Sequence, residues 1–329
     1  VGLEALASIH AVADARRMAG VLLCAAAALG GCSSLVPQTA ALREALPQGL
    51  PERVELTGVP FFPQSEYQCG PAALATTLVA FGAKVTPEEL VPQVYLPERK
   101  GSLQVEMLAA ARRHGMASYV LAPSFEALLR EIAAGNPVIV LQNLGLFTGW
   151  HYAVAVGYDY PRGQLILRSG TTEREVLSFP AHEFVWKRSG YWAMVALPPG
   201  RMPATAEESR WLGAIVAAER VAGGQAVAYR QFLRRWPANA PAAVALANLH
   251  YKAGELREAE AVLREAVRHN PDSVIALNNL AQTLSDQGRS REALPFIEHA
   301  AAQGANGPYA AAVEDTRRAI LERLEKKPD

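Results

Sequence analysis

From about residue 206 onward the chain repeats itself, and that repetition constrains its fold more than any other feature. Shifted by 34 residues, Leu246-Ala247 falls on Leu280-Ala281, Gly254 on Gly288, Ala259 on Ala293, Leu263 on Ile297 and Ala266 on Ala300. One period upstream, Leu212-Gly213 falls in register with Leu246-Ala247, and Pro237 with Pro271. Small residues at fixed positions let two antiparallel helices touch closely, and Gly254 and Gly288 allow the turn between them. Each helix pair then buries its open face on the next pair. The period predicts three repeats, near 206–238, 240–272 and 274–306, and a capping helix at 308–326. The first repeat is degenerate around Gly223-Gly224. A plain helical bundle is the alternative, and neither reading places catalysis in this part of the chain.

This period and these small residues resemble tetratricopeptide repeats. The resemblance implies a concave groove that takes a peptide or protein partner. Composition changes near residue 200. Residues 54–197 mix β-branched runs, aromatics and helical patterns, whereas 206–326 are rich in Ala, Leu, Arg and Glu with almost no strand signal. The segment Leu197-Pro198-Pro199-Gly200-Arg201-Met202-Pro203 separates the two, because prolines stop both helices and strands; 198–205 is read as the linker. Lys+Arg and Asp+Glu balance at 32 each, so no basic excess points to nucleic acid. No metal cluster with plausible ligand spacing and no phosphate-cradling Gly-rich motif is present, so no cofactor is expected.

At the N-terminus, Arg16-Arg17 precede the apolar run Met18 to Leu29, followed by Gly30-Gly31-Cys32-Ser33-Ser34. A charged start, a short apolar stretch and small residues before a cut describe a secretory signal. The run is short for a membrane span, which needs about 20 apolar residues. Leu29-Gly30-Gly31-Cys32 also resembles the bacterial lipobox. That resemblance implies a signal peptide at 1–31, cleavage before Cys32 and lipidation of Cys32. Ser33 rather than Asp after the cysteine favours the outer membrane facing the periplasm. Residues 1–15 fit an upstream translation start and are set aside. Residues 32–53, with Pro37, Pro47 and Pro51, read as a tether.

With Cys24 and Cys32 in the export segment, Cys69 is left without a cysteine partner in the mature protein. It lies in Gln68-Cys69-Gly70-Pro71-Ala72-Ala73-Leu74-Ala75, and Ala72 to Phe81 is helix-like, so Cys69 sits at a helix N-terminus. The helix dipole there favours thiolate, and Pro71 fits the first turn. A nucleophilic thiol also needs a base. Of the three histidines between residues 54 and 197, His114 closes a helix and His182 reads as a surface helix start. His151 follows Gly149-Trp150 and opens the buried strand Tyr152-Ala153-Val154-Ala155-Val156-Gly157-Tyr158, where it is held rigidly.

Residues 54–197 resemble the C39-type cysteine peptidases and their C39-like relatives, within the papain-like fold. Four blocks carry the resemblance in order: Gln64 to Ala75 around Cys69; Gly101-Ser102-Leu103-Gln104-Val105-Glu106-Met107-Leu108 with Ala109 to Gly115; Phe125-Glu126-Ala127-Leu128-Leu129 leading to Gly135-Asn136-Pro137-Val138-Ile139-Val140; and Trp150-His151-Tyr152-Ala153-Val154. The resemblance implies that Cys69 is the nucleophile and His151 the general base, then the acid for the leaving amine. It puts Gln64, or Gln68, in the oxyanion-hole position. The family has Asp or Asn after the histidine strand, to orient the imidazole. Here the matching position is Ser169, or Arg168 if the register slips, and neither is a carboxylate. Asp159, the only aspartate in this segment, reads as a turn residue.

The expected fold is an α+β papain-like cysteine peptidase domain at 54–197, with a helical part carrying Cys69 and an antiparallel sheet carrying His151. Strands are expected near 137–143, 151–158, 164–168, 174–179 and 191–197. An all-α tetratricopeptide-repeat array follows at 206–326. Three functions compete: an envelope-anchored cysteine peptidase whose repeats recruit a peptide or protein substrate; a catalytically silent peptidase-like scaffold; and an acyltransferase using the same thioester chemistry.

Overall fold

The structure is a computed structural model that describes residues 35–64, 68–145, 149–218 and 224–326. The export signal, the lipobox and Cys32 lie outside the described residues. Two compact units divide the chain: 1–80, 85–103 and 120–195 in the first, and 81–84, 104–119 and 196–329 in the second. The division departs from a single cut at the proline-rich segment, because residues 81–84 and 104–119 go with the second unit.

The first unit contains helices α1 (Pro37–Glu44), α2 (Cys69–Ala80) and α3 (Pro87–Val94). Strand β1 (Arg53–Glu55) lies between the first two, and the short hairpin β2 (Tyr95–Leu96) and β3 (Gly101–Ser102) follows α3. Helix α4 (Gln104–Arg113) and strand β4 (Ala117–Val120) come next in the chain, and residues 104–119 of this stretch belong to the second unit. They are followed by α5 (Phe125–Ala133), β5 (Val138–Asn143), β6 (Trp150–Asp159), β7 (Gln164–Ser169), β8 (Thr172–Ser178), α6 (Phe179–Trp186) and β9 (Ala193–Leu197). The main sheet runs β4-β9-β5-β6-β7-β8, and β1 also pairs with β6. The five expected strands are all present. Two short ones, β1 and β4, carry no local signal that sets them apart from loops, and only sheet pairing defines them.

Strand β6 is the backbone of the first unit. Its residues Tyr152 to Tyr158 are buried. It pairs antiparallel with β5 from Trp150 to Ala155, with β7 from Val154 to Asp159, and with β1 from Gly157 to Asp159. At Gly157 a Cβ would stand 2.6 Å from the Val54 carbonyl oxygen, so only glycine lets β1 approach this closely. Helix α2 is apolar on all sides and buried from Cys69 to Leu78, as a helix in the middle of a core must be.

The expected tether is not an extended spacer throughout. Residues 37–44 form α1, whose first two free backbone N–H groups, of Gln38 and Thr39, donate to the buried Glu183 carboxylate at 3.0 and 2.6 Å. A carboxylate at a helix N-terminus satisfies orphan donors and the helix dipole together. Gln38 also accepts from the Phe125 N–H and donates to the Pro123 carbonyl, and the Tyr160 hydroxyl donates to the Leu42 carbonyl. Glu183 lies 145 positions from Gln38, so no local pattern reveals this docking.

His182 also corrects its sequence reading. It is fully buried, not a surface helix start, and its Nδ1 sits 3.0 Å from the Gln142 side-chain nitrogen. Its ring packs against Phe125 and Trp186. Burial pushes its pKa down to about 3.

The second unit contains α7 (Glu208–Ala218), α8 (Gln225–Arg235), α9 (Ala240–Lys252), α10 (Leu256–His269), α11 (Val274–Asp286), α12 (Ser290–Gly304) and α13 (Ala310–Lys326). The array matches the expected pairs and capping helix. Ala247, Ala259, Ala266, Ala281, Ala293 and Ala300 are buried together with Leu263, Leu280 and Ile297. Gly254 and Gly288 take φ of +77° and +78° at the inter-helix turns, where side-chain-bearing residues are strained. Among the described residues no helix is long and apolar enough to cross a membrane.

Two outcomes follow. Glu183→Ala removes the acceptor of both α1 N–H groups and is expected to cost about 1–3 kcal/mol in urea unfolding, with faster proteolysis of residues 35–45. His182 is neutral in the folded state and binds a proton when unfolded below about pH 6.5. Stability therefore falls as pH drops from about 6.5 toward 3, by about 1.4 kcal/mol per pH unit. His182→Gln should flatten that slope in urea titrations at pH 7 and pH 5.

Candidate active site

Cys69 is the first residue of α2, and the Gln68 carbonyl accepts the Ala72 N–H at 3.2 Å as the helix begins. Pro71 falls in the first turn, where its missing N–H leaves nothing unpaired. The backbone N–H groups of Tyr152, Gly70 and Cys69 itself favour the Cys69 thiolate. The helix that starts at Cys69 packs on β6, the strand that begins with Trp150 and His151. The ladder between β6 and β7 reaches only to the Val154–Arg168 pair, so the start of β6 projects beyond it.

His151 Nε2 lies 3.0 Å from the Ser169 hydroxyl oxygen. With the Nε2 proton donated to Ser169, Nδ1 is left as the basic nitrogen. Ser169 ends β7, and Gly170 makes the turn into β8 with φ of +57°. The Gly170 carbonyl accepts the Gln64 backbone N–H at 3.0 Å. The segment leading to Cys69 is thereby tied to the hairpin that presents Ser169.

The register decides between Ser169 and Arg168. Arg168 points to the other face of β7, and its guanidinium donates to the Glu173 and Val59 carbonyls at 2.7 and 3.3 Å. It does not take the position beside the imidazole. Asp159 sits at the far end of β6, paired with Arg53 and accepting the Arg162 N–H, as its turn reading implies. His114 closes α4, its N–H bonded to the Ala110 and Ala111 carbonyls. Gln64 is brought near the hairpin by its backbone, and Gln68 occupies the cap of α2. His151 and Ser169 come together, and the helix of Cys69 packs on the same strand as His151; Arg168, Asp159, His114 and His182 do not join the His151–Ser169 pair.

The electrostatics depart from the expectation of a preformed thiolate. Burial pushes the Cys69 thiol up, and this outweighs the three N–H groups that pull it down. Burial pushes the His151 imidazole down, opposed by the negative charge of Glu175. Both shifts favour the uncharged forms, a thiol at Cys69 and a neutral imidazole at His151. A helix N-terminus lowers a thiol pKa only where desolvation of the anion does not exceed it. Tyr152 and Glu175 are the contributors that sequence reading missed. Tyr152 acts through its backbone N–H, which has no sequence signature, and Glu175 acts through strand register. Among the described residues no group of His, Cys, Asp and Glu is arranged to hold a metal ion.

Comparison with known proteins agrees with this architecture. Residues 56–193 match the family described as Peptidase_C39 like, and residues 244–311 match the tetratricopeptide repeat. The chain thus carries a C39-like peptidase domain followed by tetratricopeptide repeats. No curated protein matches it in sequence. Similar solved structures include a C39-like peptidase from Bacillus anthracis, at 17% identity over 45% of this chain and 98% of that one, with a TM-score of 0.38. The peptidase domain of Streptococcus ComA is 20% identical over 43% of this chain and 98% of that one, with a TM-score of 0.37. The TPR2B domain of yeast Sti1 is 21% identical over 35% of this chain and 86% of that one, with a TM-score of 0.28.

In the free protein, iodoacetamide alkylation of Cys69 is expected to follow a pH profile with its midpoint above the ordinary thiol value of about 8.5. A midpoint below 7 would mean that the three N–H groups outweigh burial.

Proposed function

We propose that the protein is a cysteine peptidase that hydrolyses peptide bonds through Cys69 and His151. The observation that carries the reading is His151, oriented through Nε2 by Ser169 at the start of the buried strand on which α2 and its first residue Cys69 pack. Neutral His151 takes the thiol proton as sulfur attacks the scissile carbonyl carbon, so that a charged pair forms only during reaction. The carbonyl oxygen becomes an oxyanion held by the Cys69 N–H, with Gln64 as the second donor. Imidazolium then returns the proton to the leaving amine, and water attacks the thioester with His151 again as base.

The repeats would recruit the substrate or a protein partner. Support comes from a 130 Å³ cavity lined by Asn248 and Tyr251 of α9, Leu263 of α10, and Asn279, Gln282 and Thr283 of α11. Lipidation at Cys32 and an outer-membrane location facing the periplasm complete the proposal, and their support is the sequence of residues 16–34.

A silent peptidase-like scaffold is the second reading. It is favoured by Ser169, a neutral group where the family has Asp or Asn, and by the raised thiol of Cys69.

Unfolded fluorescein-labelled casein separates the two. Wild type should cleave it, Cys69→Ala should lose all cleavage, and His151→Ala should lose about 10²–10⁴-fold. Absence of cleavage, together with wild-type alkylation rates in His151→Ala, would sink the peptidase reading and leave the scaffold.

A further inference from the structure

Four large apolar side chains of the first unit, Leu35, Phe184, Leu144 and Trp150, are each between 41 and 56% exposed. A chain of contacts joins their residues along the surface. Lys187 Nζ donates to the Leu35 carbonyl at 2.6 Å and stands 5.7 Å from the centre of the Phe184 ring. The Arg188 guanidinium carbon stands 4.6 Å from the same ring, and its Nη1 donates to the Asn143 carbonyl at 3.2 Å. Asn143 precedes Leu144 and pairs with Trp150 across the β5–β6 ladder. A single exposed apolar residue needs no explanation, but a joined series with two cations between its members does.

The cations keep their charge available. Their contacts are carbonyl oxygens and an aromatic ring, which neutralise nothing. Glu183, next to Phe184, is buried and turned to the α1 N–H groups. Aromatic and aliphatic side chains interleaved with Lys and Arg are the composition of a surface that lies at a lipid headgroup boundary. The apolar groups enter the acyl edge while the cations meet phosphates.

The covalent chain indicates what covers this surface. Leu35 stands three residues after Cys32, and three extended residues span at most about 11 Å. Nothing beyond Leu35 adds slack, because α1 is fastened to the body through the Glu183 carboxylate, the Phe125 N–H and the Pro123 carbonyl. We propose that the surface centred on Phe184, Lys187 and Arg188 rests on the bilayer that holds the lipid of Cys32. The proposal rests on the lipidation of Cys32 and adds which face of the peptidase domain meets the membrane. That face extends to Trp150, the residue before His151.

The test uses the lipid-modified full chain, purified from membranes in a Cys69→Ser background that leaves one free thiol for labelling. Incorporation of labelled palmitate reports on the anchor itself. Phe184→Cys carries a bimane label, and Arg162→Cys, in the turn at the opposite end of β6, carries the control label. The protein is reconstituted into vesicles of phosphatidylethanolamine and phosphatidylglycerol with brominated acyl chains. The expected result is loss of bimane fluorescence at position 184 and none at position 162. With palmitate incorporated, equal fluorescence at the two positions overturns the proposal and leaves the anchor standing. Protection of the position 184 label from aqueous iodide without quenching by brominated lipid means that a protein covers this face, and it overturns the proposal as well. Absence of palmitate overturns the anchor and the membrane face together. Should Phe184→Cys not fold, Leu144→Cys places the label at the other end of the same surface and reads the same way.

Discussion

The first unit depends on the double pairing of β6. This strand is laddered to β5 along one end and to β7 along the other, with β1 added beyond β5. A strand held on both edges and buried from Tyr152 to Tyr158 cannot slip by a residue, because a slip would turn every side chain to the wrong face. His151 inherits that rigidity at the mouth of the strand. The same strand packs against α2, whose first residue is Cys69. Cys69 and His151, the proposed nucleophile and base, are thus placed by one strand and the helix packed on it, although they lie 82 positions apart in the chain.

Burial that gives this rigidity also sets the charge state. The all-round apolar α2 takes the Cys69 sulfur out of water, and a thiolate loses more by desolvation than the helix terminus and three N–H groups return. The imidazole is subject to the same rule with opposite sign. Both groups rest neutral, so the chemistry available to them is proton transfer during attack instead of attack by a standing ion pair. A buried neutral thiol also resists oxidation better than an exposed thiolate, which suits a cysteine without a disulfide partner.

The helical unit is built on a different economy of contacts. Its buried positions are mostly alanine and leucine, and the two glycine turns let consecutive helices reverse within a few residues. Each pair rests mainly on its neighbours, so the array needs no long-range pairing of the kind that defines the sheet. Buried ends are completed by ion pairs between repeats. Glu260 of α10, for example, accepts from Arg264, Arg289 and Gln287.

The repeat unit was legible in the sequence because its contacts recur at a fixed spacing, so one period describes all of them. The place of Cys69 on a helix start and of His151 on a buried strand was legible for a similar reason: both are local patterns. The sequence also offered Ser169 and Arg168 as alternatives. Register settled that choice by turning Arg168 to the opposite face. The charge state of Cys69 was misjudged, because a helix start is visible in sequence and its burial is not. The docking of α1 on Glu183 and the burial of His182 had no local signature at all. Each joins elements far apart in the chain through a single side chain or a strand pairing. What the sequence determined by itself was the identity of the elements and the placing of Cys69 and His151 on them, since propensity and periodicity act over a few turns. Tertiary structure alone decided which polar groups meet and which are protonated, because desolvation and register exist only once distant segments have packed.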